Sequence, residues 1–530
     1  RSGYRIVVTQ SYQSRIRGGH NTFSVLAGVD DVEAPGGPVD ILVALNEETI
    51  ELHRDDLSKR GLILAGQEEG ADGDDVMRVP FEQLAGEERF INTVALGFLG
   101  ALLGLGRELA ADVLESLFGK KHPEVMEENL HALEAAYEWA GEHGGEDHRL
   151  APVKKAGERI MLNGNEAIAL GAVSAGARFC AFYPMTPSTS VPLTMIKVAD
   201  RSGLVVEQAE DEIAAINMAV GASYAGAPSL VSTSGGGFAL MVEGLSLAGM
   251  TETPIVIVIA QRPGPATGLP TRTEQADLDF ALHAAHGEFP RAIFSPGTVE
   301  ECFHLTRRAF EQAERYQSPV FVLTDQFLAD SYRAVEPFEI EGLEEVTPGA
   351  DPESVDTPYL RHRITESGVS PRLLPGASRH LVVTDSDEHT EDGHLTEDLE
   401  ERVRQADKRL KKGEGLSKEA LPPEAEGDEN PDMLLVSWGS TKGSVAAVAR
   451  ELRGGGKRVR TLHFPQVWPL VPESFLKELK GAKRVVCIEG NAFGQLARLV
   501  RRETGFEIEE SVRKYDGLPI TTEYILERLA

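Results

Sequence analysis

Three short stretches of this 530-residue sequence carry side chains arranged for chemistry. In Phe182-Tyr183-Pro184-Met185-Thr186-Pro187-Ser188-Thr189, two prolines bracket one threonine. Proline fixes its own φ and steers the residue before it out of the helical region, so Thr186 is held extended and its hydroxyl stands on a stiff loop. Glu207-Gln208-Ala209-Glu210-Asp211-Glu212 puts four acids where a strand gives way to a helix rich in Ala and Gly. Carboxylates at a helix start are favoured by its dipole and serve as caps. Capping explains less well a carboxylate directed into an alanine-lined helix start. The third stretch, the polar loop Gln261 to Gln275, carries Arg262 and Arg272. A guanidinium fork binds both oxygens of a carboxylate; a surface arginine with a solvent partner reads the same way in sequence. Pro-Ser-Thr ahead of a helix is also ordinary capping chemistry.

Each stretch follows a run with strand character. Ala175 to Phe182 leads into Thr186, Val205-Val206 into the acids, and the β-branched run Pro254 to Ala260 into the arginine loop. A continuous β-branched run marks a central strand of a parallel sheet. A polar loop at the C-terminal end of such a strand is where open α/β sheets place their ligands. Between them, Leu230 to Thr233 is a strand followed by the glycine turn Ser234-Gly235-Gly236-Gly237. Asn163 or Asn165 is the expected cap of the preceding helix. Further strands are expected at Tyr4–Gln10, Asp40–Leu45 and Leu62–Ala65, which predict a parallel α/β unit. Others fall at Met433–Trp438, Val459–Phe464 and Arg484–Glu489. Val94–Gly106 reads as a core helix, too short to span a bilayer. Lys120–Asp147 reads as a linker helix and Lys411–Asp432 as a linker of low hydrophobicity.

The net charge of −31 and the pI near 4.9 argue against nucleic acid or an anionic membrane as a partner. Local arginines can still bind small anions. Cys180, Cys302 and Cys487 lie far apart, so no disulfide framework, zinc site or iron–sulfur cluster is read from them, and a reducing cytoplasm is the expected location. Asp385 to His394, rich in acids and histidines, reads as a metal site or as a solvated acidic loop. Asp72-Gly73-Asp74-Asp75 reads as an acidic turn.

The Thr186 stretch resembles the Tyr-Pro-Ile-Thr-Pro-Ser loop of the 2-oxoacid:ferredoxin oxidoreductase α subunit, with Met185 for isoleucine. Gln261 to Thr271 resembles that family's Gln-Arg-x-Gly-Pro-Ser-Thr-Gly-x-Pro-Thr, and His286-Gly287-Glu288 continues the match. Thr233-Ser234-Gly235-Gly236-Gly237-Phe238 resembles its Thr-Ser-Gly-Pro-Gly-Phe, with Gly236 for proline. Asp385 to His394 and Glu489 to Gln495 resemble further family motifs, which favours a shared structural loop over a private metal site at Asp385. Ser11-Tyr12 followed by Arg17-Gly18-Gly19 resembles the signature of the family's γ domain, here fused in front of α. No Gly-x-Gly-Gly-Gln-Gly loop precedes Arg1, so the resemblance implies that the sequence begins partway into that domain.

The resemblance implies a multidomain α/β chain. A γ-type domain would cover residues 1–150, a pyrimidine-binding thiamine diphosphate domain 151–337, and a crossing segment and linker 338–432. A domain like the transketolase C-terminal domain would cover 433–530. It implies that Glu212, with Glu210 as the fallback, bonds the aminopyrimidine of the cofactor. Thr186 and Arg272 would hold the substrate carboxylate, with Thr186 and Pro187 also at the cofactor, Arg262 structural and Arg17 near coenzyme A. The reaction implied is oxidation of a 2-oxoacid, 2-oxoglutarate by type, with CoA to acyl-CoA and carbon dioxide, reducing ferredoxin, or the reverse carboxylation. The diphosphate's Mg2+ and a 4Fe-4S cluster are expected in a β subunit, in a dimer of αβ heterodimers. A non-redox thiamine decarboxylase or carboligase, and a non-catalytic anion-binding regulatory subunit, are the alternative readings.

Overall fold

A strand apolar over six consecutive residues must be covered on both faces, and Ile255–Gln261 is buried at every position, its closing glutamine included. With strands numbered in chain order it is β10 of a computed structural model that describes residues 2–12, 19–30, 32–67, 73–145, 147–153 and 157–530. It lies mid-sheet between β9 (Ser229–Thr233) and β12 (Pro319–Asp325). β7 (Phe179–Phe182) and β8 (Val205–Gln208) extend the sheet beyond β9, and β11 (Ala292–Phe294) extends it beyond β12. These six strands are parallel; β17 (Gln466–Trp468) closes the far edge antiparallel to β11. The period-two alternation divides β10 between two cores. Ile255, Ile257 and Ile259 face the helices Glu212–Tyr224 and Gly235–Met250, in a cluster that continues into Trp438, Leu462 and Phe464. Val256 and Val258 face the helices Gly164–Ser174 and Val299–Tyr316.

The first core is therefore shared with a second parallel sheet. Its order is β14 (Glu424–Gly427), β16 (Val459–Phe464), β15 (Met433–Trp438), β18 (Arg484–Glu489) and β19 (Glu510–Arg513), with β14 alone antiparallel. A third, small parallel sheet joins β3 (Val39–Ala44), β4 (Leu57–Ala65) and β5 (Val76–Arg78).

Sequence patterning located strands better than it located their partners. The strand expected at Tyr4–Gln10 is β1 (Arg5–Ser11), but it does not join β3 and β4. It runs antiparallel between β2 (Thr22–Gly28) and β13 (Tyr332–Val335), and β6 (Ile160–Leu162) completes that sheet. The front of the chain is thereby bonded to the segment that leaves the central sheet. The stretch read as a linker helix contains the helix Met126–His143, whose Ala132, Leu133, Ala136 and Ala140 are buried against Ile91–Leu102. Its small apolar residues fall on one face at helical spacing, and the charges around them hide it. Lys411–Lys418 is likewise not a linker but the end of the helix Leu399–Lys418.

Among the described residues, no helix is long and apolar enough to cross a membrane.

Candidate active site

Because the central strands are parallel, the loops after β7, β8, β9 and β10 all leave the sheet at one edge. The spatial order runs β8, β7, β9, β10, so the chain reverses direction between β7 and β9, the point where such sheets form a ligand crevice. Thr186 lies in the loop after β7, half-buried. Its carbonyl accepts from Arg262 Nη1 at 2.6 Å, which ties the β7 loop to the β10 loop. Asn165 seats the loop from below: its Nδ2 donates to the Pro187 carbonyl and to Ser190 Oγ, both at 2.8 Å. Asn163, not Asn165, is the helix cap, in a capping box with Glu166. Asn165, wholly buried, positions the threonine loop instead. Nothing in the Asn-Gly-Asn spacing distinguishes the two roles.

The four acids after β8 separate cleanly. Glu207 and Glu210 are exposed. Asp211 is the N-cap of the helix Glu212–Tyr224, accepting from the Ala214 amide at 2.7 Å. Glu212 is 2 % exposed and its Oε1 has no hydrogen-bond partner. Burial, then a backbone hydrogen bond acting the other way, then the charge of Asp211 set its pKa, which ends above the usual carboxylate range. Gly237 makes room for it, since a Cβ there would stand 2.4 Å from Glu212 Oε1. The run Gly235-Gly236-Gly237, expected as a turn, is the first turn of the helix Gly235–Met250. Its glycines let that helix start approach the carboxylate.

Arg272 sits farther along the β10 loop, and its Nη1 donates to Ser11 Oγ at 2.8 Å. The next residue of the γ-type signature, Tyr12, donates its hydroxyl to Asp330 Oδ2 at 2.9 Å. The front of the chain thus reaches the arginine loop. Arg262 rather than Arg272 is the arginine bonded to the Thr186 loop. Two further acids, missed in the sequence, lie on the same segment. Burial pushes Asp277 up to about 6 against the pull of Arg262, and pushes Glu274 up to about 7 with help from the charge of Asp277.

Other motifs fall elsewhere. His286-Gly287-Glu288 is an exposed turn that precedes β11, so it lies at the opposite edge of the sheet from Thr186. His389 of the Asp385–His394 loop is buried beside Glu252 and His362, and ligand atoms of the three come within 4.8 Å of one another. The Glu252 carboxylate, however, is ion-paired with the ammonium groups of Lys408 and Lys412. His362 Nδ1 lies 3.0 Å from the same carboxylate, and its Nε2 contacts Thr384 Oγ1 at 2.8 Å. Two ammonium groups already neutralise the one anionic ligand, so the cluster is an ion-pair network, consistent with the shared-loop reading. Arg17 and Asp72 lie outside the described residues; Asp75 pairs with Arg54 at 2.7 Å.

Comparison with known proteins addresses the same segments. A family model described as pyruvate flavodoxin/ferredoxin oxidoreductase, thiamine diP-bdg, matches residues 170–408, and one described as pyruvate ferredoxin/flavodoxin oxidoreductase matches residues 1–139. The 2-oxoacid:ferredoxin oxidoreductase subunit alpha of Sulfolobus sp is 32% identical, an alignment covering 100% of this chain and 92% of that protein. The chain belongs to the 2-oxoacid:ferredoxin oxidoreductase family, as an α-subunit type. Within that family, the 2-oxoglutarate oxidoreductase subunit KorA of Mycobacterium tuberculosis is 29% identical over 99% of this chain and 86% of its own length. The structure of 2-oxoglutarate:ferredoxin oxidoreductase from Magnetococcus marinus, with 2-oxoglutarate, coenzyme A and succinyl-CoA bound, superposes with a TM-score of 0.93 at 31% identity. The match covers 100% of this chain and 94% of that one. Glu212, a buried carboxylate with a free oxygen, falls within the residues that the thiamine diphosphate-binding model matches, and such a carboxylate suits a ligand that can pair with it. The residues fit the group.

Proposed function

We propose that this chain is the α subunit of a 2-oxoglutarate:ferredoxin oxidoreductase. In this reading the chain, with a β subunit, takes 2-oxoglutarate, CoA and oxidised ferredoxin to succinyl-CoA, carbon dioxide and reduced ferredoxin, or runs the reverse carboxylation as a CO2-fixing synthase. The observation that carries the reading is Glu212: a buried carboxyl oxygen with no partner, at the switch-point edge of a parallel sheet. A buried polar atom left unpaired is costly, so its retention calls for a ligand that pairs with it. Thiamine diphosphate, when bound, supplies the nucleophilic carbon and the electron sink for cleavage beside a keto group.

Glu212 would hold the cofactor's pyrimidine ring through a carboxyl that burial, the largest cause, pushes above the usual carboxylate range, favouring its protonated form. Thr186 and Arg272 would hold the 2-oxoacid's 1-carboxylate, the guanidinium fork taking both oxygens. Arg262 would hold the Thr186 loop in place through its carbonyl. The diphosphate, its Mg2+ and a 4Fe-4S cluster belong to the β subunit in this scheme. Support for a docked partner comes from exposed apolar side chains on the site's own segments: Tyr183, Leu193, Ile213, Leu240 and Leu269. Support for 2-oxoglutarate as substrate comes from the named relatives and from the ligands of the Magnetococcus marinus enzyme.

The test is steady-state kinetics of the αβ complex on pyruvate, 2-oxobutyrate and 2-oxoglutarate, wild type and Arg272→Lys. Wild type should prefer 2-oxoglutarate. Arg272→Lys keeps the charge and loses the fork, so it should impair every 2-oxoacid alike. If it harms only 2-oxoglutarate, Arg272 reads the distal carboxylate instead.

A further inference from the structure

The C-terminal sheet has a switch point of its own. Its parallel strands start at β15, cross to β16 on one side and return to β18 on the other, so the crevice lies beyond the C-terminal ends of β15 and β18. That crevice is filled by Gln275, 2 % exposed, from the loop that carries Arg272. Gln275 Nε2 donates to the carbonyl of Trp438, the last residue of β15, at 2.9 Å. Its Oε1 accepts from the amide of Gly490, the first residue after β18, at 2.8 Å. Its own amide donates to the Gly490 carbonyl at 2.6 Å. A Cβ at Gly439 would stand 2.7 Å from Gln275 Nε2, so a side chain there would close the crevice.

A second amide grips the same segment from the other side. Gln495 Nε2 donates to the Ala276 carbonyl at 2.7 Å, and its Oε1 accepts from the Asp279 amide at 3.0 Å. Gln495 is itself held firmly. Glu489, wholly buried, accepts from the Leu496 and Ala497 amides at 2.8 and 3.1 Å, and Asn491 Oδ1 accepts from the Gly494 and Gln495 amides at 2.8 and 3.2 Å. The Glu489-to-Gln495 motif, which the site itself does not use, is thereby accounted for. The Thr273 amide also donates to the Gly517 carbonyl at 3.0 Å.

We propose that Gln275 is a positioning residue for the reaction: seated in the switch-point crevice of the C-terminal sheet, it fixes the loop that aims Arg272 at the substrate carboxylate. The C-terminal domain then uses its ligand edge as a seat for a neighbouring loop. The proposal rests on the assignment of Arg272 as the carboxylate clamp. A loosened seat lets the guanidinium drift from a carboxylate that it would hold both before and during the reaction, so the loss falls on binding and is read in KM.

The experiment compares wild type, Gln275→Ala, Arg272→Lys and the double variant, each as the assembled αβ complex, on 2-oxoglutarate. Gln275→Ala is expected to raise KM about tenfold while kcat changes by less than about threefold, the split of a residue that acts on binding. In the Arg272→Lys background the same change is expected to add less than about twofold, because the residue acts through Arg272. A normal KM for Gln275→Ala beside a damaged Arg272→Lys overturns the proposal and leaves the clamp standing. An equal KM rise in both backgrounds also overturns it. A normal KM for Arg272→Lys removes the clamp and the proposal together. Should Gln275→Ala fail to assemble, Gln495→Ala, which loosens the seat from the opposite side, carries the same outcomes.

Discussion

Asp211 and Glu212 are adjacent acids with opposite roles. Asp211 is spent on an amide of its own helix, while Glu212, one residue on, points inward and keeps an oxygen free. The folded state raises the pKa of Glu212, so it favours the protonated form; that contribution is present below the ordinary carboxyl value and is lost as pH rises through the raised one. Glu212→Gln removes the ionisation. The cofactor-free chain carrying it should melt higher than wild type at neutral pH, and the gap should shrink toward acid. Thermal melts of both proteins at about pH 4, 6 and 8 check this; a gap that widens toward acid would contradict the burial of a free carboxyl. Thr186→Val should cost about 1–3 kcal/mol of substrate binding or turnover by leaving a polar partner unpaired. Kinetics on 2-oxoglutarate read it, and wild-type values would remove Thr186 from the site. At this scale the sequence marked Thr186, Glu212 and Arg272 as candidates, because each closes a recognisable strand-and-loop pattern; of the three, Glu212 is the one found buried with a free carboxyl oxygen. Asn165, Gln275 and Asp277 were not legible. An amide or acid whose partners lie in a distant loop leaves no local signature, and the hydrogen bonds of Gln275 span 163 and 215 residues.

The helix Leu399–Lys418 shows the same limit for a whole element. Its composition is that of a solvated linker, yet Lys408 and Lys412 are buried, and both ammonium groups meet the Glu252 carboxylate, itself wholly buried. Burial acts against each charge, and the pairing opposes it; Glu252 is held well below its ordinary value and Lys408 is pulled down to about 7. Arg361 adds donors to the carbonyls of Thr251 and Glu252 at 3.2 and 2.9 Å. The network pins the 338–432 segment to the edge of the central sheet opposite the site. Lys412→Met strips one partner from a buried carboxylate, and it should destabilise the chain by about 3–5 kcal/mol, read by denaturant unfolding. A loss below about 1 kcal/mol would mean that water reaches the pair. Only the partner reveals that these lysines are buried, and Glu252 lies more than a hundred residues upstream. Strands fared better: Met433–Trp438, Val459–Phe464 and Arg484–Glu489 are bounded as their apolar runs predict, since a run buried on both faces declares itself locally. What β1 pairs with was not legible, because alternation marks a strand and says nothing of its neighbour.

Across the whole molecule, parallel strands deliver the Thr186, Glu212, Ser234 and Arg262 segments to one edge, and the C-terminal sheet holds the Arg272 loop against it. In the proposed reading the arrangement would supply a carboxylate for a cofactor and groups for an anionic substrate. Cys180, Cys302 and Cys487 are each buried and separate, so this chain offers no cysteine cluster for iron. Expressed without a partner, it should carry no stoichiometric iron–sulfur cluster, as an iron assay would read. Whether Glu212 activates a cofactor shared with an iron–sulfur partner chain is read in the visible spectrum of the αβ complex on addition of 2-oxoglutarate and CoA. Wild-type complex should bleach, and Glu212→Gln complex, with the same iron content, should bleach more slowly by several powers of ten, each power being about 1.4 kcal/mol of barrier. Bleaching of the Glu212→Gln complex at the wild-type rate would mean that Glu212 does not activate the cofactor.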